Sequence, residues 1–571
     1  MSKFKIVPPS EEVQIHLTDG RVIAGPRGAA VGEFLHVITD ELPAPLMGAI
    51  VNGELRELTY PIQMEAEVKP LTLADSDGMR IYRRSLVFLL EVAFDELFPN
   101  AALTVDHSVV TGGYFCRVSG REPFTEAELQ RLEAHMRHLV ESNLPIERRE
   151  LPLQEAIDYF ATHGHPDKVR LLRYRKKDYL TVYTLAGHMD YYHGYMVPST
   201  GYLRWFGLVA MGHGFILRFP NREAPTDLRP MTRPSKLLEA FRQYGSWLRR
   251  LGIQTVGALN DAVQEGRIRE IVLVAEALHE QHIAEIAARI AAERDRIQVV
   301  LIAGPSSSGK TTFSKRLTVQ LLTQGIEPFP LELDNYFVDR ERTPRDENGN
   351  YDFEHLDALD RERLTHDLRR LIRGERVQLP HYNFQTGKSE PGEVVQLKPG
   401  QLIIMEGIHG LDPRLLPGFP QEHAFRIYAS ALTQLNLDCH NRVSTTDTRL
   451  IRRIVRDARD RGYTARDTIH RWEAVRRGEK RWIFPFQEQA DVMFNSALVY
   501  ELAVLKPLAE PLLLQIPHGT KEHIEAKRLL ALLEWFVPVE RELVPDDSLL
   551  REFIGGSILK NFLLWRNGTE H

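Results

Sequence analysis

Gln298-Val299-Val300-Leu301-Ile302-Ala303-Gly304-Pro305-Ser306-Ser307-Ser308-Gly309-Lys310-Thr311-Thr312 is the stretch that decides how this chain folds. Its first six residues are a short, largely β-branched apolar run, the pattern of a strand buried in a parallel sheet. Phe313-Ser314-Lys315-Arg316-Leu317 then begins a helical pattern. The loop between strand and helix reads G-x-x-x-x-G-K-T. Glycines let backbone N–H groups close around phosphate oxygens, and the helix N-terminus adds a favourable dipole. In this strand–loop–helix setting Gly304, Pro305, Ser306, Ser307, Ser308, Gly309, Lys310, Thr311 and Thr312 form a cradle for the phosphates of a nucleoside triphosphate. Lys310 is placed to reach the β- and γ-phosphates, and the Thr311 hydroxyl to ligate Mg²⁺.

Working outward, Pro328-Phe329-Pro330-Leu331-Glu332-Leu333-Asp334-Asn335-Tyr336-Phe337 reads as a second core strand ending in an acidic, aromatic loop. A carboxylate at the C-terminal tip of such a strand lies on the ligand side of an open α/β sheet. Asp334 is therefore the candidate to orient or deprotonate an attacking hydroxyl. Leu402-Ile403-Ile404-Met405 reads as another buried strand, with Glu406 at its tip as a second acidic group able to assist Mg²⁺.

Between Arg442 and Arg481 lie twelve Arg and one Lys against six acids. Arg449, Arg452, Arg453, Arg456 and Arg459 recur at three- and four-residue spacings, which makes one helix face strongly basic. Three readings fit: a solvated or salt-bridged face, a nucleic-acid groove, or a lid whose arginines neutralise a transferring phosphoryl group.

The 571 residues suit three or four domains, and 43% hydrophobic with 26% charged content is ordinary for a globular protein. A net charge of −6 gives no global reason to expect a nucleic-acid or membrane partner. Two cysteines, Cys116 and Cys439, exclude a disulfide framework or a Cys-based zinc ribbon and suit a reducing compartment. Met1–Ile6 lacks the apolar core of a signal peptide, and no apolar run nears the ~20 residues that span a bilayer. The expectation is a soluble, cytoplasmic protein.

Upstream, Val13-Gln14-Ile15-His16-Leu17 alternates like a half-buried strand, and Thr18-Asp19-Gly20-Arg21 supplies hairpin chemistry. "LTDGRV", "AIVNGEL" and "EVKPLTL" resemble the TGS domain, the ubiquitin-like module at the front of threonyl-tRNA synthetases. "MRIYRRSLVFLLEVAFDELFPNAALTVDHSVVTGGYFCRV" resembles the second N-terminal domain of those enzymes, which hydrolyses mischarged tRNA. That family's functional His, His, Cys and His fall here on Arg84, Phe88, Tyr192 and Met196. An aromatic ring or thioether cannot replace imidazole or thiol as ligand or base. The fold is expected without the hydrolysis. His163, His165, His188, His193 and His213 lack the spacing of a metal site. The basic run Arg170, Arg173, Arg175, Lys176 and Lys177 reads as a solvated strand face, with an RNA or phosphate contact as the alternative.

The back half is similar to the uridine kinase and phosphoribulokinase family. "LDNYF" stands where that family carries its catalytic Asp and an aromatic loop. "YDFEHLDALD" (351–360) resembles "NFDHPDAFD", "LPHYNF" (379–384) resembles "VPIYDF", and "LIIMEGIHGL" (402–411) resembles "VLFEGIL". "RRIVRDARDRG" resembles the lid motif "RRVxRDxxxRGR". The resemblance implies catalytic roles for Asp334, Lys310, Arg453, Arg456 and Arg461. It implies an acceptor pocket of Tyr336, Phe353, Glu354 and Tyr382, and Mg²⁺ on Thr311 and Glu406. Glu354 replaces the family's Asp, "TGKS" (386–389) replaces "THSR", and Tyr463 stands where the lid usually ends in Arg. These departures leave the acceptor's base and the nucleoside class open.

The expected architecture is multidomain α/β and α+β. A ubiquitin-like TGS domain occupies 1–75, a synthetase-like α+β domain 76–230, and a helical linker 231–296. A P-loop kinase domain with a doubly wound parallel sheet follows over 297–540, then a helical tail over 541–571 with no catalytic signal. The linker is expected as a static spacer, with an NTP-driven lever as the alternative. The implied reaction is phosphoryl transfer from ATP to a hydroxyl, foremost the 5′-OH of a uridine- or cytidine-like nucleoside, with ATP and Mg²⁺ as cofactors. A sugar or sugar-phosphate acceptor, or an NTP-switched module docking RNA through the front half, is the alternative. A homo-oligomer is compatible with the sequence.

Overall fold

The computed structural model describes residues 11–109, 112–231, 235–346, 349, 351–398 and 400–562. The strand Val299–Ala303 is buried along its whole length. It pairs in parallel with Ile403–Glu406 on one side and Ala424–Ser430 on the other. Phe329–Glu332 and Val492–Asn495 extend the sheet outward, also in parallel. The sheet therefore runs 329, 403, 299, 424, 492 by first strand residue. Alternation along the strand explains the layers. Val300 and Ile302 face Phe313, Leu317 and Leu321 of the helix Lys310–Thr323, and Ile283, Ile286 and Ile290 of the helix Ile268–Ala292. Val299 and Leu301 face Leu364, Leu368 and Leu371 of Arg361–Ile372. Each such fully buried side chain contributes about 1.5–3 kcal/mol.

At the front, Glu12–Leu17 alternates exposed and buried, as the sequence pattern requires. Gly20 adopts φ +91° in the turn to Val22–Pro26. These two strands join Ala66–Thr72, Leu46–Val51 and Glu54–Arg56 in one mixed sheet with its own core. The long helix Ser76–Leu97 then packs with a four-stranded and a three-stranded antiparallel sheet around a second core.

Three expectations change. The region 231–296 is not a spacer: its helices Ser235–Leu251, Val256–Gln264 and Ile268–Ala292 share one core with the parallel sheet. Arg316 of the P-loop helix pairs with Glu280 at 2.5 Å, and the Tyr244 hydroxyl donates to the Ala497 carbonyl. Their apolar stripes needed a partner, and the sheet's open flank supplies it. The basic run is not a strand face either. Arg170 lies in the helix Pro166–Leu172 and pairs with Asp261 at 2.9 Å; the strand begins only at Tyr179. Within 541–562 the tail forms only a 3-10 turn, Arg541–Leu543, and one helical turn, Arg551–Ile554; Glu552, Leu559 and Lys560 contact the P-loop helix. Residues 563–571 of the expected helical tail lie outside the described residues.

The two halves meet through a buried polar joint. The Lys168 ammonium sits 2.7 Å from both Asp190 oxygens, Tyr191 donates to Asp438, and His440 reaches Asp190 and Glu91. Among the described residues no helix is long and apolar enough to cross a membrane.

Candidate active site around the P-loop

The loop's shape follows from its glycines. A Cβ on Gly304 would lie 1.9 Å from the Ala429 carbonyl oxygen, so only glycine lets this strand tip pass its neighbour. Gly309 begins the helix at φ +84°, a left-handed conformation that glycine tolerates at little cost. Ser307 holds φ +58°, strain concentrated at the turn. The buried hydroxyls of Ser307 and Ser308 have no hydrogen-bond partner within the protein, and Lys310 bends back to the Pro305 carbonyl at 3.3 Å. Unpaired donors around a helix N-terminus make a site for an anion.

The acidic groups gather beside Lys310. The Thr311 hydroxyl donates to Glu406 Oε1 at 2.8 Å, while Glu406 Oε2 is buried without a partner. Burial raises the Glu406 pKa, with Lys310 and the Thr311 hydrogen bond opposing it. An orphaned carboxylate oxygen next to a hydroxyl is the donor set a hard cation takes, so Thr311 and Glu406 fit Mg²⁺. Asp334 stands just beyond Phe329–Glu332; desolvation raises its pKa and Lys310 pulls it down. These groups lie at the tips of three adjacent parallel strands.

The residues expected to form the acceptor pocket make an aromatic wall. The Tyr382 ring is buried between Phe337, 5.4 Å away, and Phe384, 5.0 Å away, and its hydroxyl has no partner. Phe353 meets Phe337 edge-on at 5.7 Å. The Glu354 carboxyl is pushed up to about 7, first by burial and then by Glu479, against the pull of Lys310 and Arg453. Tyr336 departs from its expected role. It is buried in the core beneath the sheet, and its hydroxyl donates to Asp367 of the helix Arg361–Ile372 at 3.3 Å. Its place in a 3-10 turn sends the ring inward while Asp334 stays open to the cleft.

The basic helix Thr445–Asp460 is not one solvated face. Arg449 and Arg452 are buried, the first gripped by Glu479 at 2.5 and 2.7 Å, the second by Glu501 at 2.6 Å. Arg453 reaches the loop, donating to Ser306 Oγ at 2.7 Å. Arg456 and Arg461 gather on Asp457, at 2.9 and 3.6 Å, and Arg453 also approaches it at 3.2 Å. The structure thus brings Arg453 to the phosphate loop and holds Arg456 and Arg461 one step behind it.

Two carboxylates at the loop escaped sequence reading. Glu479, on the helix Ala465–Trp482, accepts the Ser306 N–H at 3.0 Å. Glu552, in the tail, accepts the Thr312 N–H at 3.2 Å and its hydroxyl at 3.0 Å. Glu479 carried a local signal: it is one of few acids in an arginine-rich segment. Glu552 carried none.

In the front half, Arg84, Phe88, Tyr192 and Met196 do come together, as packing. Phe88 and Tyr192 rings lie 5.6 Å apart, Tyr192 donates to Glu91 at 2.5 Å, and Arg84 donates to the Tyr195 carbonyl. Glu91, Asp190 and His440 come close enough to share a cation, but the Lys168 ammonium already neutralises Asp190.

Fold and site define a P-loop α/β domain fused behind two smaller front domains. Residues 299–503 match the model of the Phosphoribulokinase / Uridine kinase family. The front is similar to threonine–tRNA ligases. That of Desulforamulus reducens is 30% identical over 204 residues, 36% of this chain and 32% of the ligase. That of Methylobacillus flagellatus is 32% identical over 212 residues, 37% of this chain and 33% of the ligase. The chain spans about a third of the length of these curated relatives. Among solved structures, a possible uridine kinase from Bacillus stearothermophilus shares 25% identity over 35% of this chain and 89% of its own, TM-score 0.24. A putative fructose transport system kinase from Silicibacter shares 20% over 37% and 98%, TM-score 0.25.

Proposed function

We propose that this chain is an ATP-dependent phosphotransferase that moves the γ-phosphoryl group of ATP to a hydroxyl of a small molecule, foremost the 5′-OH of a nucleoside. The observation that carries the reading is the joint placement of Lys310, Thr311, Glu406 and Asp334 on three neighbouring strand tips. A merely nucleotide-switched module needs the first three. It does not need Asp334, a further acidic group at the next strand tip whose charge interacts with Lys310.

In this reading the loop amides and Lys310 hold the triphosphate, and Arg453 adds positive charge where the phosphoryl group transfers. Mg²⁺ held by Thr311 and Glu406 would neutralise charge on the β- and γ-phosphates. Asp334 accepts the proton of the acceptor hydroxyl as its oxygen attacks phosphorus and the bond to ADP breaks. Desolvation makes that carboxylate more basic, which suits the task. Phe353 offers its ring to a planar base, the buried Tyr382 supports the wall through Phe337 and Phe384, and Glu354 offers its carboxyl to sugar hydroxyls.

The front half is proposed as a docking and assembly element that has lost hydrolysis, with RNA as a possible ligand class. Its four key positions are filled by groups that pack rather than react.

The test is transfer from labelled ATP across a panel of nucleosides, sugars and sugar phosphates, followed by Asp334→Asn with the acceptor found. Loss of a general base lowers turnover about 10²–10⁴-fold while ATP binding persists. Turnover near wild type would remove Asp334 from the role. Transfer to no acceptor, with hydrolysis stimulated by tRNA, would replace the kinase reading by the switch.

A further inference from the structure

The tail segment from Leu549 to Gly556 lies against the phosphate loop as a strap. Leu549 packs so closely that a Cβ on Gly309 would meet its Cδ2 at 2.2 Å. Leu550 and Phe553 are buried, and the Arg452 guanidinium lies 4.9 Å above the Phe553 ring. Arg459 donates to the carbonyls of Phe553 at 2.7 Å and Glu552 at 3.1 Å. Further on, Lys315 of the P-loop helix donates to the carbonyls of Leu559 at 2.7 Å and Lys560 at 3.0 Å. The backbone is fixed from several sides, and one polar side chain points from it into the loop. That is Glu552, whose Oε2 takes both donors of Thr312.

Those donors belong to the nucleotide. Thr312 N–H is among the first amides of a helix that follows a Gly-rich loop, where the chain satisfies none of them internally. In such a loop these amides cradle the α- and β-phosphates. A carboxylate and a phosphate cannot share one amide, and their like charges repel. Glu406 and Lys315 both feel the Glu552 charge, which places it within the site's electrostatics.

We propose that Glu552 is a built-in competitor for the nucleotide's α-phosphate, so that triphosphate enters only when this side chain leaves Thr312. The inference rests on the nucleotide-binding part of the proposed function and adds its regulation. Upstream of the strap, the front half grips the segment 525–535: Arg80 pairs with Glu525 at 2.8 Å, Lys527 with Glu54 at 2.7 Å, and Trp535 donates to His193 at 3.2 Å.

The experiment is calorimetric titration of the full chain with ADP, without acceptor, for wild type, Glu552→Gln and Glu552→Asp. Glu552→Asp keeps the charge but shortens the arm, so it loses the contact. A hydrogen bond to a charged group is worth about 1.5–3 kcal/mol, so each variant is expected to bind ADP about tenfold or more tightly than wild type. Unchanged or weaker binding in both variants overturns the inference. Tightening in Glu552→Gln alone also overturns it, since charge rather than contact would then be the cause. If wild type and variants all fail to bind ADP, the nucleotide site itself falls. If wild type binds and neither variant binds more tightly, only the strap's role falls.

Discussion

Replacing Arg449 with Met tests whether the arginines beside the phosphate loop are scaffold or solvent-facing charge. Arg449 is 1% exposed and Glu479 2% exposed, and the guanidinium grips the carboxylate through two nitrogens at 2.5 and 2.7 Å. Arg449→Met leaves Glu479 buried with Arg476 at 3.0 Å and the Ser306 N–H. Removing one partner of a buried pair costs about 3–5 kcal/mol, because the other charge stays desolvated. With Arg476 still present the lower end applies, about 3 kcal/mol. Glu479→Gln should cost a similar amount by stranding Arg449. The double variant removes both charges and keeps a carbonyl oxygen for Ser306, so it should be no less stable than either single variant. Urea unfolding followed by tryptophan fluorescence reads this locally, since Trp472 lies 5.3 Å from the Arg449 guanidinium. Single variants within about 0.5 kcal/mol of wild type, the range of ordinary surface substitutions, would refute the reasoning. So would a double variant whose loss equals the sum of the two.

Glu354 makes the protein's stability fall as pH rises through the neutral range. Its folded pKa is pushed up to about 7 from 4.5, so below 4.5 both states are protonated and the group contributes nothing. Between 4.5 and 7 the unfolded chain releases a proton that the fold retains, and above 7 the penalty reaches roughly 3 kcal/mol. Glu354→Gln should therefore unfold like wild type at pH 4 and be more stable at pH 8 by up to about that amount; equal stabilisation at both pH values would contradict it. In the front half, the intact chain should leave Ser-tRNA acylated over hours, because Arg84, Phe88, Tyr192 and Met196 offer no base or nucleophile. Deacylation above the buffer rate would reopen that site.

Much of the back half was legible as pattern. Val299–Ala303 declared its strand by composition, and its two-residue period assigned Val300 and Ile302 to one layer and Val299 and Leu301 to the other. Asp334 and Glu406 were legible because a strand ends where its apolar run ends, and the next residue stands at the sheet's ligand edge. The Thr18–Arg21 turn declared itself through Gly20. All of these are short-range properties of backbone sterics and side-chain alternation.

Periodicity says which residues share a helix face but not what meets that face. The spacing of Arg449, Arg452, Arg453, Arg456 and Arg459 was correct as geometry and silent about the outcome. Glu479 and Glu501 bury two of them, Ser306 takes a third, and Asp457 collects the next. Tyr336 looked like a pocket residue beside Asp334, yet a single 3-10 turn sends the two in opposite directions. Glu552 stands 240 positions from Thr312, so no local pattern links them. By itself the sequence determined a glycine-rich loop between a strand and a helix, and two of the acids beside it, Asp334 and Glu406. Only the tertiary structure decided which charges are spent on holding that loop and which remain for a ligand, because pairing a buried charge depends on what folding brings to it from far along the chain.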